Sequence, residues 1–277
     1  MPTEETAVPA SPTSDQNDEL LTELREALAN GGLTLCYQPL VRSADGELVG
    51  IEALLRWNSS SRGEVSPRRF IPVAESADLM PEIGRWVIAT AIREMAEWQR
   101  LGLFHDRTLH INLTLRELLD PQLVPVATQH VLEAGLQPEQ LCFELTEREL
   151  DAGAEPAEEA TERIAAAGFR LVLDDFGVDS SVEILTRHPF QFAKIDHALL
   201  VGESRPRHWA RLLRGIGGLA RSLGIVLIVE GVEGEKEMGH VAALGFTHAQ
   251  GYAFGRPDTG SNLRQGLGAG AWAETRR

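Results

Sequence analysis

The chain has 277 residues, 43% of them hydrophobic, and a formal net charge of -15, which suits a single barrel domain of about 250 residues with a substantial core. That negative charge, with Lys and Arg scattered along the chain, disfavours a nucleic-acid polymer as partner. No apolar run of about 18 residues occurs, and the start M-P-T-E-E-T has neither the basic nor the apolar region of a signal peptide, so a cytoplasmic protein without a membrane span is expected.

Residues 1–16, rich in Pro, Ser, Thr and Glu without periodicity, are expected to be disordered. From Asn17, apolar residues at helical spacing run to Gly31-Gly32 and predict an amphipathic helix. Leu33 to Tyr37 reads as a strand ending at Gln38-Pro39. The turn S-A-D-G-E then leads to a second strand, Leu48 to Leu54, and the two make a hairpin. N-S-S-S-R-G-E-V-S-P reads as a loop closing on Ser66-Pro67, a helix cap with proline at the first helical position. A long helix begins near Pro81 and places Ile83, Trp86, Val87, Met95 and Trp98 on about one face.

Beyond Gly102, short apolar strands alternate with helical stretches: Thr108 to Leu113, Leu141 to Thr146, Phe169 to Asp174, Phe192 to Ile195, Ile225 to Val229 and Thr247 to Tyr252. With the hairpin these make eight strands. Such alternation predicts a parallel sheet with helices outside, closed as a modified TIM (β/α)8 barrel over residues 17–258. The hairpin requires one antiparallel strand, because a tight turn cannot join parallel neighbours. A tail follows over residues 259–277, loose apart from a short helix near Leu263. Cys36 and Cys142 lie in apolar strand-like runs and read as reduced thiols.

Polar residues fall at or near the carboxyl ends of these strands: Gln38, Glu52, Asn112, Glu144 with Glu147, Asp174 with Asp175, Lys194 with Asp196, Glu230, and Gln250. Parallel barrels build their active sites on that rim. The donor set is all oxygen, which suits Mg2+ or Mn2+ and argues against zinc or copper. Five carboxylates, Glu52, Glu144, Asp174, Asp175 and Glu230, exceed what one Mg2+ takes up. Two ions are therefore expected, about 3.5 to 4 Å apart, lowering the pKa of a bridging water for in-line displacement at phosphorus. Lys194 is the one cation of the set, placed to orient that water or to neutralise charge on a phosphate oxygen. The eight histidines show no metal-ligand spacing, and His110 reads as a satisfied interior residue.

The segments Y-Q-P (Tyr37 to Pro39), E-A-L-L-R-W (Glu52 to Trp57), F-I-P-V-A-E, I-N-L-T, E-L-T-E, D-D-F-G, K-I-D, E-G-V-E and Q-G-Y (Gln250 to Tyr252) closely resemble, in order, those of EAL domains, the bacterial cyclic di-GMP phosphodiesterases. The resemblance covers roughly residues 18 to 258. It implies a barrel whose first strand is antiparallel and hydrolysis of one phosphodiester of cyclic di-GMP to linear pGpG with two Mg2+ or Mn2+ ions. Glu52, Asn112, Glu144 and Asp174 resemble the ligands of one ion, and Asp174, Asp175 and Glu230 those of the other. By the same resemblance Lys194 positions the hydrolytic water, with Glu230 an alternative general base. Arg56 and Gln38 are similar to contacts to substrate phosphate and guanine, Asp196, Glu233 and Gln250 to supporting residues, and Glu147 to the anchor of the loop after the fifth strand.

After Asp174 the family usually reads D-D-F-G-T-G-Y-S-S-L, whereas this chain reads D-D-F-G-V-D-S-S-V, one residue shorter and without the second glycine and the aromatic. Glycine takes a positive φ at little cost, so the loop must follow another path. That bears on the metal at Asp175 and on the homodimer contact this loop makes in the family. Two functions follow: an active phosphodiesterase, or a catalytically silent module that binds cyclic di-GMP or a protein partner and relays a signal. The length leaves no room for an attached sensory or cyclase domain, so regulation is expected from a protein partner, oligomerisation or the N-terminus.

Overall fold

The computed structural model describes residues 14–177, 180–196 and 209–268. They fall within two compact units, one in Met1–Thr34 and Arg56–Leu79, the other in Leu35–Leu55 and Met80–Arg277.

In the smaller unit, helix α1 (Ser14–Asn30) starts three residues before the expected position and buries Leu20 and Leu24. It stops at Gly31, whose φ of 85° is the left-handed conformation that ends helices. Strands β1 (Leu33–Arg42) and β2 (Leu48–Ser59) contribute one end each to this unit. The stretch expected to be a loop contains a short strand, β3 (Gly63–Val65), paired antiparallel with the end of β2, Trp57 opposite Val65. Glu23 braces that turn by accepting hydrogen bonds from Ser59, Ser61 and Arg62 at 2.7, 2.8 and 3.0 Å. Helix α2 (Pro67–Ser76) begins with Pro67 at the first helical position as predicted, although the Ser66 hydroxyl makes no capping bond. Its buried Phe70 meets Trp57 edge-on, ring centroids 5.6 Å apart.

The larger unit is the barrel. After helix α3 (Met80–Arg100) come β4 (Thr108–Asn112), α4 (Leu115–Leu118), α5 (Leu123–Ala134), β5 (Leu141–Thr146), α6 (Glu147–Ala166), β6 (Arg170–Asp174), α7 (Ile184–Arg187) and β7 (Phe192–Asp196). Then follow α8 (Trp209–Ser222), β8 (Val226–Glu230), α9 (Glu235–Leu244), β9 (His248–Gln250), β10 (Asp258–Thr259) and α10 (Gly260–Gly268). Strands β2, β4, β5, β6, β7, β8 and β9 pair in parallel in that order, β9 pairs antiparallel with β1, and β1 pairs with β2. The ring is closed by eight strands, and β1 is the antiparallel one.

Strand β1 continues past Pro39, where the sequence reading ended it. Tyr37 pairs with β10 and Leu40 with β9, so the residue without an N–H falls between two pairings. The barrel interior below the rim is filled by Leu40, Cys142, Val172, Phe192 and Ile228, one each from five strands. Neither cysteine is in a disulfide; Cys142 is buried and Cys36 half-buried. Among the described residues no helix is long and apolar enough to cross a membrane.

Candidate active site

Side chains two apart on a strand share a face, so the residue two positions toward the rim from each apolar core residue lies directly above it. Above Leu40 on the antiparallel β1 stands Gln38. Above Cys142, Val172, Phe192 and Ile228 stand Glu144, Asp174, Lys194 and Glu230. The same step leads from Gly50 to Glu52, from His110 to Asn112 and from His248 to Gln250. One polar layer thus lies on a layer of five apolar residues, a glycine and two histidines.

Lys194, only 1% exposed, is at its centre. Its Nζ lies 3.0 Å from Glu52 Oε2, 2.7 Å from Glu144 Oε2 and 2.9 Å from Glu230 Oε1. Asn112 Nδ2 donates to Glu52 Oε1 and Gln250 Nε2 to Glu52 Oε2, both at 2.7 Å. Gln250 also donates to Gln38 Oε1 at 3.2 Å, and Gln38 in turn to the Gly255 carbonyl at 3.4 Å. Beneath Glu144, His110 Nδ1 lies 2.8 Å from Glu144 Oε1 and its Nε2 2.9 Å from the Thr108 hydroxyl. These contacts link β1, β2, β4, β5, β7, β8 and β9.

Adjacent strand residues point to opposite faces, yet Asp174 and Asp175 both turn toward Glu230. Each of the three offers a carboxylate oxygen within 4.8 Å of the others. The cause is local: Asp175 has a φ of 55°, a left-handed turn at the strand end that Asp tolerates better than most residues. Its own N–H donates to Asp174 Oδ1 at 2.9 Å.

Burial raises the Glu52 carboxyl, but the Lys194 charge and the hydrogen bonds from Asn112, Gln250 and Lys194 outweigh it, and the pKa falls to about 2. Glu144 goes the other way: burial holds it well above the usual range against the pull of Lys194, with Glu52 and Asp174 adding repulsion. Burial lifts Glu230 to about 8 despite Lys194, assisted by the Asp174 and Glu52 charges. Asp175 is raised by burial and by Asp174. Burial would lower Lys194, yet Glu144, Glu230 and Glu52 push it well above its ordinary value. Five carboxylates around one ammonium carry an excess of negative charge, and an oxygen-only donor set of this kind fits hard divalent cations.

The model of the EAL domain family matches residues 21–257. The chain belongs to the EAL domain family. This EAL domain is 34% identical over 240 residues to the bifunctional diguanylate cyclase/cyclic di-GMP phosphodiesterase MucR of Pseudomonas aeruginosa, covering 86% of the chain and 35% of MucR. It is 33% identical over 237 residues to the cyclic di-GMP phosphodiesterase PdeR of Escherichia coli, covering 85% and 35%. The chain therefore spans about a third of the length of these relatives. The solved PaMucR phosphodiesterase in complex with c-di-GMP superposes with a TM-score of 0.80 at 33% identity, over 88% of this chain and 99% of that one.

The structure places the other residues singled out in the sequence as follows. Glu147, the first residue of α6, accepts the Ser181 N–H at 2.8 Å, tying the segment after β6 to the head of that helix. Asp196 is exposed and stands in register beside Glu230. Glu233 is exposed in the turn before α9. Arg56 is half-buried on the part of β2 that belongs to the smaller unit. In the shortened loop, Val178 and Asp179 lie outside the described residues, while the Gly177 N–H donates to the Ser180 hydroxyl at 2.9 Å. The sequence reading assigned no role to Thr108 and took His110 as a satisfied interior residue, which it is, with both ring nitrogens partnered. The alternation that placed Asn112 also puts His110 on the same inward face.

Proposed function

We propose that the chain hydrolyses one phosphodiester bond of cyclic di-GMP to give linear pGpG, using two bound Mg2+ or Mn2+ ions. The observation that carries this reading is the layer of five carboxylates around the single ammonium of Lys194 at the carboxyl rim of an EAL barrel. If all are ionised, four formal negative charges remain, the number two divalent cations balance. Such ions, when bound, lower the pKa of a water and neutralise phosphate oxygens. Glu52, Asn112, Glu144 and Asp174 are assigned to one ion, and Asp174, Asp175 and Glu230 to the other. Lys194 holds three of these carboxylates converged with its three N–H groups, and one of those donors is assigned to the attacking oxygen once a bound cation takes over its carboxylate. Glu230, 2.9 Å from Lys194 Nζ at the rim, is assigned as the alternative group to take up the water's proton. Gln38 and Gln250, coupled to each other, are assigned to the substrate edge of the layer. Glu147 is assigned to holding the loop after β6, and Asp196 and Glu233 to the outer rim.

Incubation of the purified chain with cyclic di-GMP and Mg2+ or Mn2+ tests the reading. Linear pGpG is expected; its absence at high enzyme concentration sinks the proposal. A second reading rests on the loop that leaves the family pattern after Gly177: a silent module that binds cyclic di-GMP or a protein partner. It requires saturable nucleotide binding without product.

A further inference from the structure

We infer that His110, backed by Thr108, is a positioning residue for Glu144: it fixes one carboxylate oxygen from the barrel interior so that the group keeps a single orientation toward a divalent cation. The inference rests on the assignment of Glu144 as a metal ligand.

His110 is 1% exposed and Glu144 equally buried, so neither is oriented by water. Glu144 stands between two donors. Lys194 Nζ approaches Oε2 at 2.7 Å and His110 Nδ1 approaches Oε1 at 2.8 Å. An ionised carboxylate only accepts hydrogen bonds, so a metal-binding Glu144 requires the His110 proton on Nδ1. The neutral ring then offers its Nε2 lone pair to the Thr108 hydroxyl at 2.9 Å, which as a hydroxyl can donate to it. Register supplies the geometry: His110 pairs with Cys142 and Asn112 with Glu144 across β4 and β5, so His110 lies below the carboxylate it addresses. Space for the Thr108 hydroxyl comes from β2, where a Cβ on Gly50 would collide with Thr108 Oγ1. The Phe192 ring, with its centroid 5.7 Å from that of the imidazole, closes another side. Outer partners of this kind fix ligand orientation and typically change metal affinity about 10- to 100-fold when removed.

The test is Mn2+ binding, followed by titration calorimetry, to the wild-type chain and to His110→Leu, His110→Asn, His110→Gln and Thr108→Val, with unfolding curves for each. The Asn amide can occupy the place of Nδ1, whereas the Gln amide reaches toward that of Nε2. Expected are an approximately 10-fold or greater loss of Mn2+ affinity in His110→Leu and His110→Gln, substantial recovery in His110→Asn, and a smaller loss in the near-isosteric Thr108→Val. A folded His110→Leu with wild-type Mn2+ affinity overturns the inference. So does His110→Asn binding no better than His110→Leu, because filling a core position would move the unfolding midpoint without this donor pattern. Mn2+ binding that follows the expected pattern without pGpG formation removes the phosphodiesterase reading and leaves the inference standing. No Mn2+ binding by the wild-type chain overturns both.

Discussion

Removing the ammonium of Lys194 leaves Glu52, Glu144 and Glu230 facing one another where water barely reaches. A buried charge set that loses its partner destabilises by about 3–5 kcal/mol. Lys194→Met in metal-free buffer is therefore expected to lose roughly that much at pH 8 by urea unfolding, and less at pH 5, where the stranded carboxylates take up protons. An equal loss at both pH values would mean that charge repulsion is not the cause. Asp175 poses a separate question, because its side chain supplies charge while its backbone supplies a left-handed turn at φ 55°. Asn tolerates that conformation and Ala does not, the penalty being about 1–2 kcal/mol. Asp175→Asn should therefore unfold close to wild type while losing most Mn2+-dependent hydrolysis. Asp175→Ala should lose both activity and about 1 kcal/mol or more of stability, as separate activity and urea measurements would show.

Among the elements, the turn after β9 packs tightly against the segment after β8. Gly251 lies so near Val232 that an added Cβ would overlap its backbone O and N. The Val232 N–H donates to the Gln250 carbonyl at 3.1 Å, and Ala253 donates to the Val232 carbonyl at 2.9 Å. Gly251→Ala must part these segments and shift Gln250, so a loss of about 2 kcal/mol or more is expected, together with a higher KM; an unchanged melting curve would refute the close approach. The strand elements were legible because alternation is a property of local sequence: an apolar residue and a polar one two positions apart recur in strand after strand, as in Cys142 with Glu144 and Phe192 with Lys194. Pairing across strands was not legible. The contact of His110 with Glu144 depends on the β4–β5 register, which no single strand records. Likewise the path of β1 through Pro39 depends on two different partners. The strand Gly63–Val65 read as a loop because its Ser- and Gly-rich surroundings carry turn chemistry, and only the pairing with β2 makes it a strand.

At the scale of the whole molecule, the barrel concentrates in one layer the same sign of charge that the chain carries overall, a net -15. Without cations, stability should then depend on pH in a particular sense. Burial and the carboxylates of Asp174 and Glu52 hold Glu230 at about 8 against a usual 4.5. A raised folded-state pKa gives stability that is complete below 4.5 and is lost as pH climbs through 8. Glu52, lowered to about 2, contributes a term complete above 4.5 and lost only as pH falls through 2. Burial, with the Arg42 charge, lowers His248 from 6.5 to about 4; its term is complete above 6.5 and is lost as pH falls through 4. Between pH 6.5 and 9 the Glu230 term alone among these three changes, and it declines. Saturating Mg2+ or Mn2+ should reverse the trend, since binding displaces the proton from Glu230 and grows stronger with pH. A cation at about 100 times its dissociation constant adds roughly 2.7 kcal/mol. Urea midpoints in EDTA are expected to fall from pH 6.5 to 9, and those in Mn2+ to hold or rise, so that the gap between them widens with pH. A gap independent of pH would show that the cation does not bind at Glu230.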